Sequence, residues 1–243
     1  MITAIWLKVG RVFLAISIIG IGTVHLVTGH FPSGFLPPAL AFPGEAVLAY
    51  LSGTILVGSG LVILTNKFIK FGAILSTCYF LAMVLMVHIP GLVKNVGDGG
   101  DWTGTFELLS LMSGLIVLLG AGFVSIGYYL FATGLFVFGV VHIIYEKYVI
   151  TWIPGWIPFP VFWAYLVPIA FVSAFVAMLI RKYVRLATLL LALMFFLWVW
   201  IVNLPRALTL KTEPEWTGTF IALGMSGVAL LIAGSVNYRK LPN

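Results

Sequence analysis

Apolar residues in this chain run in long, nearly unbroken stretches, without the strict alternation of a half-buried strand or the narrow stripe of a surface helix. Eight stretches stand out, over residues 11–28, 46–65, 71–93, 104–126, 128–145, 161–180, 186–208 and 216–236. Each is close to the roughly 20 residues a helix needs to cross the hydrocarbon core of a bilayer. The pattern therefore predicts eight transmembrane helices joined by short connections. The fourth and fifth are separated on length alone: no single helix extends from 104 to 145, so the break is placed at Gly127, within the nearly featureless Ser125-Ile126-Gly127-Tyr128.

Composition turns the pattern into a class. Of 243 residues 62% are hydrophobic and 8% charged, against about 25% charged in a soluble domain. The chain is an all-α integral membrane protein, and lipid bilayer covers most of it. The net charge of +6 does not point to nucleic acid, because the basic residues sit in short clusters between apolar runs and form no stripe. Cys78 is the single cysteine, which excludes an internal disulfide or a CxxC redox pair.

Charge placement predicts the topology. With eight spans, one side of the membrane collects Lys8, Arg11, Lys67, Lys70, Arg181, Lys182, Arg185, Arg239 and Lys240, with no acidic residue. The other collects Lys94, Lys147, Arg206 and Lys211 with all the acidic residues: Glu45, Asp98, Asp101, Glu107, Glu146, Glu213 and Glu215. The positive-inside rule puts both termini in the cytoplasm, in a bacterial-type inner membrane. No A-x-A-like cleavage site follows the first span, so it is expected to be retained as structure.

The sequence also repeats. Asp101-Trp102-Thr103-Gly104-Thr105-Phe106 returns as Glu215-Trp216-Thr217-Gly218-Thr219-Phe220, and Met112-Ser113-Gly114 as Met225-Ser226-Gly227. Upstream, Ala49-Tyr50-Leu51 matches Ala164-Tyr165-Leu166, Lys67 matches Lys182, Pro90 matches Pro205, and Gly22 and His25 match Gly139 and His142. Two tandem four-helix units are predicted, 1–126 and 127–243. Each has an even number of spans, so the copies are parallel and not inverted.

Candidate chemistry lies at the acidic side. His25, His88 and His142 fall toward that end of their spans, and His30 lies just beyond the first. An ionisable residue within a span usually faces the bundle interior or a wet cavity. His25 and His88, in one unit, are therefore candidates to ligate haem or to hydrogen-bond a quinone carbonyl; the plainer alternative is a bond to a loop carbonyl or a neighbouring helix. The mate of His88 is Asn203, so the repeat is broken there. His142 and Glu146, four apart on one helix face, suggest a structural hydrogen bond, with a proton relay as the alternative. Glu107, whose mate is Ile221, is the second-ranked candidate, with His88 or Lys94 as possible partners. No site for a bare metal ion is expected.

Other features have structural readings. Asp101 and Glu215 complement helix N-termini, with Asp101 a good cap. Pro90 and Pro205 kink or end their helices. The loops with His30-Phe31-Pro32, Phe35-Leu36-Pro37-Pro38 and Trp152-Ile153-Pro154-Gly155-Trp156 lie in the interface with their aromatic rings at headgroup depth, or roof the entrance for a hydrophobic substrate. The many glycines within spans permit close helix packing.

A four-helix unit with a G-x-x-H end to its first helix, an apolar Pro-rich outer loop, a short basic inner loop and a late Ser-Gly in its last helix resembles the DoxX/DoxD-like membrane proteins. Each half of this chain is similar to one such unit, whereas the family usually has a single unit. The resemblance implies a redox-associated membrane subunit working with a protein partner; some members are associated with thiosulfate:quinone oxidoreduction. No catalytic motif carries over residue by residue. The favoured reading is an accessory or structural subunit of a larger membrane complex, docking through outer loops and lipid-facing helices. The alternative is a quinone- or haem-binding electron-transfer subunit. A transporter ranks last, with no charge near a span midplane and no inverted repeat.

Overall fold

A computed structural model describes residues 2–36 and 41–236; Pro37, Pro38, Arg239 and Lys240 lie outside it. Regular structure among the described residues is helical throughout. The order is α1 (Ile2–Thr28), α2 (Glu45–Leu64), α3 (Ile69–Met83), α4 (Ile89–Lys94), α5 (Gly99–Leu118), α6 (Val124–Ile144), α7 (Glu146–Trp152), α8 (Pro160–Leu179), α9 (Val184–Trp198), α10 (Leu204–Leu210) and α11 (Glu213–Ser235). Short π-helical segments, Val84–His88 and Val199–Asn203, join α3 to α4 and α9 to α10. Among the described residues seven continuous helical stretches are long and apolar enough to cross a membrane: Thr3–Thr28, Glu45–Leu64, Ile69–Lys94, Ala121–Ile144, Pro160–Leu179, Val184–Leu210 and Glu213–Ser235. The chain is a multi-pass membrane protein. The remaining long helix, α5, matches α2 in length, but Asp101, Glu107 and its polar first half make it less apolar.

Several boundaries differ from those read in the sequence. The break between the fourth and fifth long helices falls at Gly120, not Gly127. Gly120 adopts φ +128°, open to glycine and strained for other residues, and α6 then runs through Gly127. There the missing side chain serves packing instead, since a Cβ would lie 2.5 Å from the Ser113 carbonyl. At the start of α5, Asp98 is the cap, its carboxylate accepting from the N–H groups of Gly100 and Asp101 at 2.7 and 3.3 Å; Asp101 sits inside the first turn.

Pro90 and Pro205 each lie one position into the helix that follows a π segment. Proline has no N–H for the carbonyl four residues back and its ring crowds that carbonyl. The wider π turn ahead of it absorbs the mismatch without ending the helix. The two π segments stand at the same offset as Lys67 and Lys182. Left-handed backbone recurs at that offset as well: Asn66 (φ 63°) with Arg181 (φ 56°), and Phe68 (φ 52°) with Tyr183 (φ 58°). Local hydrogen bonds repeat with them. Thr105 donates to the Asp101 carbonyl at 2.6 Å, and Thr219 to the Glu215 carbonyl at 2.7 Å.

Helices adjacent in sequence pack around a ring, α1 on α2, α2 on α3, α3 on α5, α5 on α6, α6 on α8, α8 on α9 and α9 on α11. The ring closes through α11 on α1, the most extensive contact in the fold, while α11 also meets α5 across the middle. Two lobes result, α1–α3 on one side and α6, α8 and α9 on the other, sharing α5 and α11. Absent side chains set the spacing: a Cβ on Gly10 would lie 2.6 Å from the Gly227 carbonyl, and one on Gly227 would lie 2.7 Å from that of Gly10. Gly22 and Gly53 stand in the same reciprocal relation between α1 and α2, at 2.8 Å each way. Close approach of this kind is how membrane helices associate when lipid is as apolar as the protein surface.

Candidate functional site

His25 is fully buried in the first lobe. Its Nδ1 lies 2.8 Å from the Ile21 carbonyl, and its Nε2 lies 2.9 Å from the Tyr79 hydroxyl. A carbonyl only accepts, so Nδ1 carries the proton, and Nε2 accepts from Tyr79. Both ring nitrogens are engaged. Phe31, Phe35 and Tyr79 meet the ring edge-on at 5.5, 5.4 and 6.0 Å.

The loop after α1 brings in two of those rings. Gly29, at φ +71°, ends the helix, and the chain turns back so that the N–H groups of Phe35 and Leu36 donate to the Pro32 carbonyl at 2.7 and 3.0 Å. Phe31, Phe35 and Leu36 are buried, so this part of the loop tucks its rings into the lobe, whereas Phe42, nearer α2, is exposed. Two carboxylates pin it there: Glu45 accepts the Phe31 N–H at 3.1 Å and Glu213 the Ser33 N–H at 2.9 Å. A cavity of about 270 Å³ lies over it, lined by His30, Phe31, Ser33, Glu45 and Glu213 among others. Phe31 separates this cavity from His25.

His88, the last residue of the first π segment, is buried, and its Nε2 has no hydrogen-bond partner among the described residues. The ring rests on α5 at Gly104, where a Cβ would come within 3.1 Å of its Cε1 and 3.4 Å of the Gly34 carbonyl. Gly104, Glu107 and Leu111 follow one another along one face of α5. Glu107 is half-buried there and makes no hydrogen bond or ion pair among the described residues, so neither His88 nor Lys94 is its partner. A buried polar atom left unpaired is costly, and His88 Nε2 is joined in this state by Ser17 and Ser76.

In the second lobe His142 repeats only half of this arrangement. Its Nδ1–H donates to the Phe138 carbonyl at 2.8 Å, as His25 does to Ile21, but Met194 takes the place of Tyr79 and no hydroxyl is offered. The ring stacks on Trp198 at 6.5 Å and meets Phe171 edge-on. The sequence-based pairing with Glu146 does not form: α6 ends at Ile144 and Glu146 opens a separate helix, so the two no longer share a helix face. Near the same end, Arg206 grips Glu215 with two hydrogen bonds of 3.0 and 2.7 Å and lies 4.4 Å over the Trp152 ring.

The fold thus gathers His25 and His88 in one lobe, with Glu107 on the α5 face that meets His88, and leaves His142 in the other. Sequence reasoning missed Tyr79, whose signal was a hydroxyl inside a helical stretch where the matching position of the repeat is Met194. It also missed the loop anchors Glu45 and Glu213, which belong to no motif. Among the described residues no group of three or more His, Cys, Asp or Glu side chains is placed to hold a metal ion. Haem ligation at His25 fits poorly, because neither ring nitrogen is free. At His88 one buried imidazole nitrogen stays unused among the described residues, while Phe35, Tyr79 and Phe80 pack on one another beside His25. No protein-family model, no curated protein sequence and no solved structure matches this chain.

Proposed function

We propose that the protein is a redox-associated membrane subunit whose first four-helix unit binds the head of a quinone-type molecule at its histidine-bearing end. The observation that carries this reading is His88, a buried imidazole with Nε2 unpaired beside a side-chain-free position at Gly104. An imidazole N–H is a natural donor to a ring carbonyl. Tyr79 and His25 supply a second polar pair, and Glu107 lies on the helix face that carries Gly104. A quinone supplies reversible two-electron, two-proton chemistry when bound. The chain's own residues orient the carbonyl, exclude water behind Phe31 and Phe35, and hold a proton at His88 or Glu107.

The second unit has Asn203, Met194 and Ile221 at the places of His88, Tyr79 and Glu107, and serves as scaffold and docking face for a protein partner in a larger membrane complex. In this reading α5 completes eight crossings in two tandem units. The basic residues place both termini on the cytoplasmic side of a bacterial-type inner membrane. The resemblance to DoxX/DoxD-like proteins favours the same redox setting.

The test is a titration of the detergent-purified protein with a short-chain quinone analogue, followed by tryptophan fluorescence, together with extraction and absorption analysis of any quinone carried through purification. His88→Asn, the residue the second unit already uses, is expected to weaken binding about tenfold, the worth of one hydrogen bond to a carbonyl. No binding, or equal affinity in the variant, overturns the site and leaves a non-catalytic docking subunit.

A further inference from the structure

At the end of the bundle opposite the histidines lies a second, larger cavity of about 780 Å³. Its charged walls are Lys8 and Arg11, one turn apart on α1, joined by Asn66 from the left-handed turn before α3. Its apolar walls include Ile69, Val117 and Leu231. Among the described residues no acidic one lines it. Arg11 Nε is buried and has no hydrogen-bond partner, and neither Arg11 nor Lys8 forms an ion pair among the described residues.

Arg11 is half-buried, and a guanidinium partly withdrawn from water with no counter-charge carries a desolvation cost that an anion would offset. A fold that keeps such a group beside an empty volume has a place for an anion. The repeat shows that the fold itself does not demand this opening. At the offset relating His25 to His142, Arg11 corresponds to Tyr128, which is fully buried and donates its hydroxyl to the Met178 carbonyl at 2.6 Å. The second unit closes with a neutral bond the place where the first presents two cations.

We infer that this cavity binds the phosphate-bearing headgroup of an anionic lipid, with Arg11 and Lys8 holding the phosphate and the apolar walls receiving the start of the acyl chains. Arginine presents a planar fork of donors suited to phosphate oxygens, and lysine adds a mobile point charge. Basic pockets between helices at the positively charged end of a membrane protein are suited to such lipids. The inference is independent of the quinone site, which lies at the other end of the bundle.

The test measures thermal unfolding of the full chain in detergent micelles mixed with phosphatidylglycerol, with phosphatidylcholine, or with inorganic phosphate. Phosphatidylglycerol about a hundredfold above its Kd is expected to raise the Tm by about 5 °C or more, and phosphatidylcholine much less. Lys8→Gln and Arg11→Gln should each lessen the shift and together abolish it, while Lys70→Gln, a cation of the same end that does not line the cavity, keeps it. Native mass spectrometry of the purified protein should show a retained phosphatidylglycerol that the double variant loses. An equal shift with phosphatidylcholine, or an undiminished shift in both single variants, overturns the site. A full shift from inorganic phosphate alone overturns the lipid and assigns the cavity to a soluble phosphate.

Discussion

Tyr79 on α3 donates its hydroxyl proton to Nε2 of His25 on α1, at 2.9 Å, and so fixes the imidazole as the tautomer that donates from Nδ1 to its own helix. The bond joins two helices that are not neighbours in the ring. Tyr79→Phe keeps the ring but leaves a buried acceptor unpaired, at a cost of about 1–3 kcal/mol. Thermal unfolding in detergent should show the loss. An unchanged Tm would mean that His25 finds another donor and that the pair does not organise the lobe.

Gly104 and Gly218 are repeat mates with different surroundings. A methyl group at Gly104 presses on His88 at 3.1 Å, whereas at Gly218 its nearest neighbour is the Asn203 side-chain oxygen at 3.9 Å. Gly104→Ala should therefore shift the His88 ring and weaken quinone-analogue binding severalfold, with Gly218→Ala close to wild type. Equal behaviour of the two variants in the fluorescence titration would separate His88 from the ligand.

Glu215 is buried and takes both oxygens to Arg206. Arg206→Ala strands that carboxylate and also removes the cation from the Trp152 face, so it is expected to destabilise by about 3 kcal/mol, the low end for a broken buried pair because the arginine is partly exposed. Glu215→Gln, which keeps a hydrogen-bond acceptor, should cost less. The order of the two variants in unfolding midpoint is the check.

Gly10 and Gly227 hold α1 and α11 in backbone contact. Gly10→Ala or Gly227→Ala forces the helices apart and should cost about 1–3 kcal/mol each. The double variant should cost less than the sum, since one separation of the axes relieves both clashes. Additive losses in unfolding experiments would show that the two positions act independently.

Much of this architecture was written in residue types. The apolar runs located the long helices, because a bilayer imposes a length that any sequence must meet. The matched prolines predict kinks or helix ends, and the structure puts paired π segments ahead of them and left-handed turns at the same offset. Residue types place the break at Gly127, in a nearly uncharged stretch, and only its packing against Ser113 shows why Gly127 stays helical while the chain breaks at Gly120. The His142–Glu146 pair failed because spacing assumes a continuous helix, and α6 stops between them. His25 and His88 were legible as ionisable groups in spans, but Tyr79 was not, because a lone tyrosine within a span is unremarkable until its partner is known. The loop anchors Glu45 and Glu213 act through backbone N–H groups, which leave no trace in side-chain pattern.

The closure of the ring by α11 sets the order in which the molecule can be completed. While the chain emerges from the ribosome, α1 and α2 can pair at once through Gly22 and Gly53, but the Gly10 face of α1 meets only lipid until the helix beginning at Glu213 has entered the bilayer. Both lobes, the Glu213 clamp on the loop above His25 included, stay open until that moment. Helix α11 is in this sense the keystone of biogenesis, and a chain released before it is inserted offers quality-control proteases a bundle with its glycine seam bare.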